Sequence, residues 1–157
     1  MAKTDKLEAI AMLKEDHVQL KALLEKLKKA GDGAPQKRSQ LLEEIRTELE
    51  AHMAIEEEIF YPAFRKALAT KAAEKMYFEA LEEHKAATMV LKDALGADPK
   101  SPSFGGKAKV LAELVVHHAD EEEDEMFPKA RKALSLEQRQ ALGQQMAGFK
   151  RDLALAA

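Results

Sequence analysis

The chain has 157 residues, enough to bury a core as one domain, and its 34% charged and 46% hydrophobic residues have the balance of a soluble globular protein. Its formal net charge is −3 with acids and bases interspersed, so it lacks the concentrated basic face that a nucleic-acid partner requires. With no Cys, disulfides, thiolate nucleophiles, iron–sulfur clusters and Cys-ligated zinc are excluded; no apolar run approaches the ~20 residues of a membrane span, and the N-terminal MAKTDKLEAI has no signal-peptide core, so a cytoplasmic location without membrane attachment is expected.

Helix formers dominate, while Gly and Pro gather in GDGAP (31–35) and GADPKSPSFGG (96–106), which read as loops. A first helix is expected over about 5–29, where Ile10, Leu13, His17, Leu20, Leu24 and Leu27 step by three and four. A second, over about 35–61, carries Leu42, Ile45, Leu49, His52, Glu56 and Ile59 on one stripe. The third, over about 71–95, aligns Tyr77, Ala80, His84, Ala87, Leu91 and Leu95. The fourth, over about 104–127, aligns Ala108, Leu111, Leu114, His118 and Glu122. Pro62 and Pro128 are expected to kink or end their helices, because Pro has no N–H and crowds the preceding turn. SLEQ at 135–138 has the form of a capping box and opens a fifth helix through about 153. Its Leu136, Leu142, Met146, Phe149 and Leu153 would pack across the bundle or onto a partner. The expected fold class is therefore all-α: an up-down-up-down four-helix bundle with an additional C-terminal helix.

The chain also repeats itself. HMAIEEEIFYPAFRKAL (52–68) and HADEEEDEMFPKARKAL (118–134) share His, Glu-Glu, Pro and Arg-Lys-Ala-Leu in register, and EDHVQLKALL (15–24) matches EEHKAATMVL (82–91) more loosely. Two helical hairpins of like design follow, each with a His on its first helix and His-x-x-x-Glu on its second.

The polar residues that interrupt the apolar stripes are His17, His52 with Glu56, His84, and His118 with Glu122. Residues i and i+4 lie about 40° apart around a helix, so each His and its Glu share a face. A lone inward His is usually a satisfied core residue, and acidic runs are usually solvated faces. Four histidines on four stripes, two with a Glu one turn on, form a joint pattern that single-residue reading does not explain. Buried carboxylates and imidazoles cost several kcal/mol each unless paired or bound to a metal. Imidazole suits iron, copper, zinc and nickel, and carboxylates can bridge two ions, so the sharpest reading is a dinuclear non-haem iron site bridged by Glu56 and Glu122. Manganese and zinc remain open. His117 lies about 100° from the His118 stripe and reads as a surface or supporting residue. Glu57, which lies about 140° from the His52 face, Glu58, Glu123 and Asp124 read as solvated or supporting groups, with Glu57 and Glu123 the two most worth following.

His17, His52-x-x-x-Glu56, His84 and His118-x-x-x-Glu122, followed by EEEIFYP and EEDEMFP, resemble the hemerythrin-like (HHE cation-binding) family over roughly residues 5–134. The resemblance implies one hemerythrin-like domain over 1–157, holding two iron ions, oxo- or hydroxo-bridged, with a small diatomic molecule or peroxide as ligand. Oxygen-carrying hemerythrins have a further His one turn from the third-helix ligand and end on His-x-x-x-x-Asp. Here Ala80 and Thr88 flank His84, and Glu122 stands at i+4 from His118. Four histidines in place of five leave iron positions open to water, peroxide, nitric oxide or oxygen, which argues against reversible oxygen carriage. Tyr77, two turns from His84, could gate such a position, although packing is its simpler role. The expected function is binding or reaction of these ligands in stress defence, including catalase-like or peroxidase-like activity. The alternatives are an oxygen, nitric oxide or iron sensor acting through a partner protein, and iron handling.

Overall fold

The structure is a computed structural model describing residues 8–157, and it contains helices and turns with no strand among the described residues. Helix α1 spans Ala9–Lys29, so the expected start near residue 5 lies outside the described residues. The Glu8 carboxylate caps it, accepting from the Ile10 N–H at 2.9 Å and the Ala11 N–H at 3.3 Å. Helix α2 (Pro35–Ile55) opens on Pro, whose missing N–H is not needed in a first turn. It runs through a π-helical segment, Glu56–Phe60, directly into α3 (Tyr61–Leu68). Helix α4 (Lys71–Leu95) starts behind a Thr70 cap and α5 (Pro102–Glu121) behind a Ser101 cap. The latter continues through a second π-helical segment, Glu122–Met126, into α6 (Phe127–Ala133). Ser135 and Gln138 form the expected capping box, and α7 spans Leu136–Ala156.

Of the two outcomes expected at the prolines, kinking or ending, the second does not occur: each follows a π-helical turn and its helix continues. The Tyr61 N–H bonds to the Glu56 carbonyl and the Phe127 N–H to the Glu122 carbonyl, five residues back in each case. This wider turn takes the carbonyls that the Pro62 and Pro128 rings would strike out of α register, so both rods continue for another two turns. The first rod ends at Ala69, the one non-glycine residue with positive φ (49°) among those described.

Helix α1 packs against α2 and α5, and α4 packs against the same two, closing a ring of four; α7 lies along α1, α2 and the first π segment. Two apolar clusters fill the interior. One contains Leu20, Leu24, Ile45, Leu91, Phe104 and Leu111; the other contains Ile10, Leu13, Phe60, Tyr61, Phe64 and Phe127. Both ends are stapled. Buried Arg38 donates to the Ala30 carbonyl at 2.8 Å and the Pro99 carbonyl at 2.7 Å, and its guanidinium sits over Phe104. At the other end Arg139 of α7 donates to Glu8 at 3.0 Å and to the Leu134 carbonyl at 2.7 Å.

Candidate metal centre

A buried polar layer lies between the two apolar clusters. His17 comes from α1, His52 from α2, His84 from α4 and His118 from α5, with Glu56 and Glu122 at the first residue of each π segment. All six are buried, Glu56 completely. The structure thus brings together all six residues singled out in the sequence. Atoms of His17, His52, Glu56 and Glu122 lie within 4.8 Å of one another, as do those of Glu56, His84 and His118.

The carboxylates cross-link the halves. Glu56 Oε1 lies 3.2 Å from both His52 Nε2 and His84 Nε2. Glu122 Oε1 lies 3.3 Å from both His17 Nε2 and His118 Nε2. Each Glu therefore reaches one imidazole of its own hairpin and one of the other.

A second set of carboxylates fixes the rings from behind. Nδ1 of His52 faces Asp16 at 3.0 Å, His118 faces Glu83 at 3.0 Å, His84 faces Glu57 at 2.8 Å and His17 faces Glu123 at 3.2 Å. An Nδ1–H donated outward leaves each Nε2 lone pair aimed at the centre, the tautomer a metal ligand needs. Glu57 and Glu123 were the supporting groups indicated by sequence. Asp16 and Glu83 were missed, although the signal was available: each directly precedes a stripe histidine, in EDH and EEH. They support the histidine of the neighbouring helix, a relationship that no spacing along one helix reveals. His117, in contrast, is 65% exposed and stands outside the layer.

Tyr61 was missed too. Its buried hydroxyl donates to Glu122 Oε2 at 2.9 Å and lies 3.1 Å from His84 Nε2 and 3.2 Å from His118 Nε2. Its equivalent in the repeat is Phe127, which stacks on His17 with centroids 5.8 Å apart. The signal was the Tyr-for-Phe difference at the residue directly before the two prolines. Tyr77, for which packing was the simpler expected role, packs edge-on against the Tyr61 ring at 6.2 Å.

The electrostatics are those of an anionic cage. Burial disfavours a charge on His52, but Glu56, Asp16 and Glu122 outweigh it and push the imidazolium up to about 10. His118 is likewise driven well above its ordinary value, against burial, by Glu122, Glu56 and Glu83. Burial and the neighbouring Glu56 charge hold Glu122 above the usual carboxylate range, while Glu56 is held well below it, against burial, by His52 and by the adjoining Glu122 and His118 side chains. Burial and both carboxylates raise the Tyr61 phenol well above its usual value, so it keeps its proton. Protons here compensate negative charge that a cation could compensate instead.

The residues fit a metal. Five buried atoms of the layer have no hydrogen-bond partner: His17 Nε2, His52 Nε2, both oxygens of Glu56 and Glu122 Oε1. Buried polar atoms in folded proteins are almost always satisfied, and these five belong to His17, His52, Glu56 and Glu122, the four residues whose ligand atoms lie within 4.8 Å of one another, as a shared cation would require. Nitrogen and oxygen donors without sulfur suit iron, manganese or zinc.

Comparison with known proteins agrees. The family model described as Hemerythrin HHE cation binding domain matches residues 8–130. An uncharacterized protein from Mycobacterium tuberculosis is 30% identical over 122 residues, 78% of this chain and 71% of that protein. A protein from Nostoc named DNA nickase is 29% identical over 127 residues, which is 81% of this chain but only 34% of that protein's length. The crystal structure of a hemerythrin HHE cation binding domain-containing protein from Mycobacterium kansasii superposes with a TM-score of 0.79 at 29% identity, covering 92% of this chain and 86% of that one.

Proposed function

The chain belongs to the hemerythrin HHE cation-binding family, and from that premise we propose that it is a non-haem di-iron protein that binds or reacts with oxygen, peroxide or nitric oxide in stress defence. In this reading an up-down-up-down bundle with an additional C-terminal helix would hold the ions with His17, His52, His84 and His118 and with Glu56 and Glu122, the two carboxylates shared between the halves. The observation that carries the reading is the convergence of five partnerless buried donor atoms, two of them on Glu56, from both hairpins.

Iron held by these residues would supply redox change and a place for a small oxygen- or nitrogen-containing ligand. The protein's own part is positional. Asp16, Glu57, Glu83 and Glu123 hold the four imidazoles with Nε2 inward. Tyr61 holds a proton on the Glu122 side of the centre, within hydrogen-bond reach of His84 and His118. Phe127 and Phe60 pack as a T-shaped pair beside His17 and exclude water from that half. Catalase-like or peroxidase-like turnover is the enzymatic form of this reading. The nicking activity named for the Nostoc relative is not carried over, since the alignment spans 34% of that protein.

Metal analysis with the visible spectrum of the purified protein tests the proposal. Two irons per chain with the charge-transfer band of a bridged ferric pair are expected. A colourless protein with one zinc overturns it.

One observation favours a second reading, a sensor of oxygen, nitric oxide or iron. Lys150 of α7 contacts both Asp16 oxygens at 2.7 Å, and Asp16 holds His52. Occupancy of the centre would then alter the seating of α7, which a partner protein could read. Limited proteolysis of metal-free and iron-loaded protein tests this; identical cleavage of α7 counts against it.

A further inference from the structure

The two halves of the bundle carry equivalent flanks with opposite character. On the second half, a cleft of about 30 Å3 lies between α4 and the α5 rod and reaches His118 and Glu122. That volume admits about one water-sized species. Its walls carry Glu79, Glu83, Glu121 and Glu125. Exposed His117 stands beside them, its Nε2 3.1 Å from Glu121 and 3.6 Å from Glu83. His117, Glu83 and Glu121 form a three-donor group of their own. Among the described residues no Lys or Arg pairs with any of these four carboxylates. At the inner end lies Glu122, 2% exposed, with an oxygen that has no hydrogen-bond partner.

The repeat places Met12, Asp16, Ala51, Ile55 and Ile59 at the positions that match Glu79, Glu83, His117, Glu121 and Glu125. That flank is apolar and closed. Helix α7 lies on α1, α2 and the first π segment, with Met146, Leu142 and Phe149 packed in the same cluster as Met12, Ile55 and Ile59. Lys150 neutralises Asp16, its one acid. The wall of the polar layer facing the other apolar cluster is lined by Leu20, Leu49, Met53 and Val115 around a cavity of only about 10 Å3.

We propose that the Glu79/Glu83/Glu121/Glu125 cleft is the entrance through which a divalent cation reaches the buried centre, with His117, Glu83 and Glu121 as its first stop, and that α7 seals the equivalent opening on the other half. Like charges lining a low-dielectric cleft concentrate the counter-ion and raise its rate of entry. Imidazole with carboxylates binds the same divalent ions as the centre itself. Glu83 serves both sites, holding His118 through one oxygen and facing His117 with the other. A cation at the first stop therefore stands one side chain from the ligand that receives it. The inference rests on the metal-binding reading above.

Stopped-flow cobalt(II) uptake by the metal-free full chain tests it. The variant Glu79→Gln/Glu121→Gln/Glu125→Gln leaves Glu83 and all six central residues in place. Its uptake at low salt is expected to slow by about tenfold or more, with the same cobalt per chain retained at the buried centre after weakly held ions are removed by desalting. The difference should shrink at about 0.5 M salt, where charges at the mouth are screened. The control Glu43→Gln/Glu44→Gln/Glu48→Gln, on the surface of α2, should match the native rate. A triple cleft variant that fills at the native rate overturns the entrance while leaving the centre intact. So does equal slowing by the control, or less cobalt retained at the centre after desalting, which would make the acids part of the holding site. A native chain that binds no cobalt overturns the metal-binding reading itself, and the entrance with it.

Discussion

Tyr61 and Phe127 occupy the same place in the two halves of the repeat and do different things. The Tyr61 hydroxyl donates to Glu122 at 2.9 Å, whereas the Phe127 ring stacks on His17 at 5.8 Å and offers no hydrogen bond. A nearly twofold-symmetric cage therefore has one polar wall and one apolar wall. Tyr61→Phe keeps the ring and removes the donor to Glu122 Oε2. The metal-free variant should lose about 1–3 kcal/mol in urea denaturation. The visible spectrum of its iron-loaded form should shift, while metal content stays that of the native protein. An unchanged spectrum would show that the hydroxyl does not touch the metal environment.

The carboxylates behind the rings should act on affinity without acting on the fold. Asp16→Asn and Glu83→Gln each replace an acceptor of an Nδ1–H, and each is expected to weaken metal binding by about 10–100-fold in chelator competition. Glu58→Gln, at an exposed position with no such contact, should change nothing.

Removal of a proposed ligand is a harsher change. His52→Ala and His118→Ala should lose most bound iron, whereas His117→Ala should retain it, because His117 is 65% exposed and outside the layer. Plasma emission measurement of iron per chain checks this; equal loss in all three variants would refute the assignment of the layer.

Metal removal should leave a folded but weaker bundle. The two apolar clusters do not depend on the cation, but five buried polar atoms lose their partner without it. Added iron(II) or cobalt(II) should raise the melting temperature in proportion to the logarithm of its concentration. The gain is about 4 kcal/mol at a thousandfold excess over Kd. A melting temperature indifferent to the ion would exclude binding to the native state.

Arg38 is predicted to matter for stability alone. Arg38→Met strips a charged donor from the Ala30 and Pro99 carbonyls and leaves the polar layer untouched. A loss of about 2–4 kcal/mol in chemical denaturation is expected, with metal stoichiometry unchanged.

The helical periodicity, the Ser135 capping box and the inward stripes were legible along the chain, because each depends on contacts within a few residues. His17, His52, Glu56, His84, His118 and Glu122 stood out for the same reason: a polar residue on an apolar stripe is a local anomaly, and the repeat showed it twice. The continuation past Pro62 and Pro128 was not legible, since the π turns at Glu56 and Glu122 emerge only when the whole rod is packed. Nor was the pairing of Asp16 with His52, of Glu83 with His118, or of Tyr61 with Glu122, which joins residues up to 61 positions apart. By itself the sequence determined that four helices turn histidines and two glutamates inward, since helical spacing alone dictates which residues share a face. Only the tertiary structure decided which imidazole each carboxylate holds and which flank α7 closes, because those choices depend on how separate helices are brought side by side.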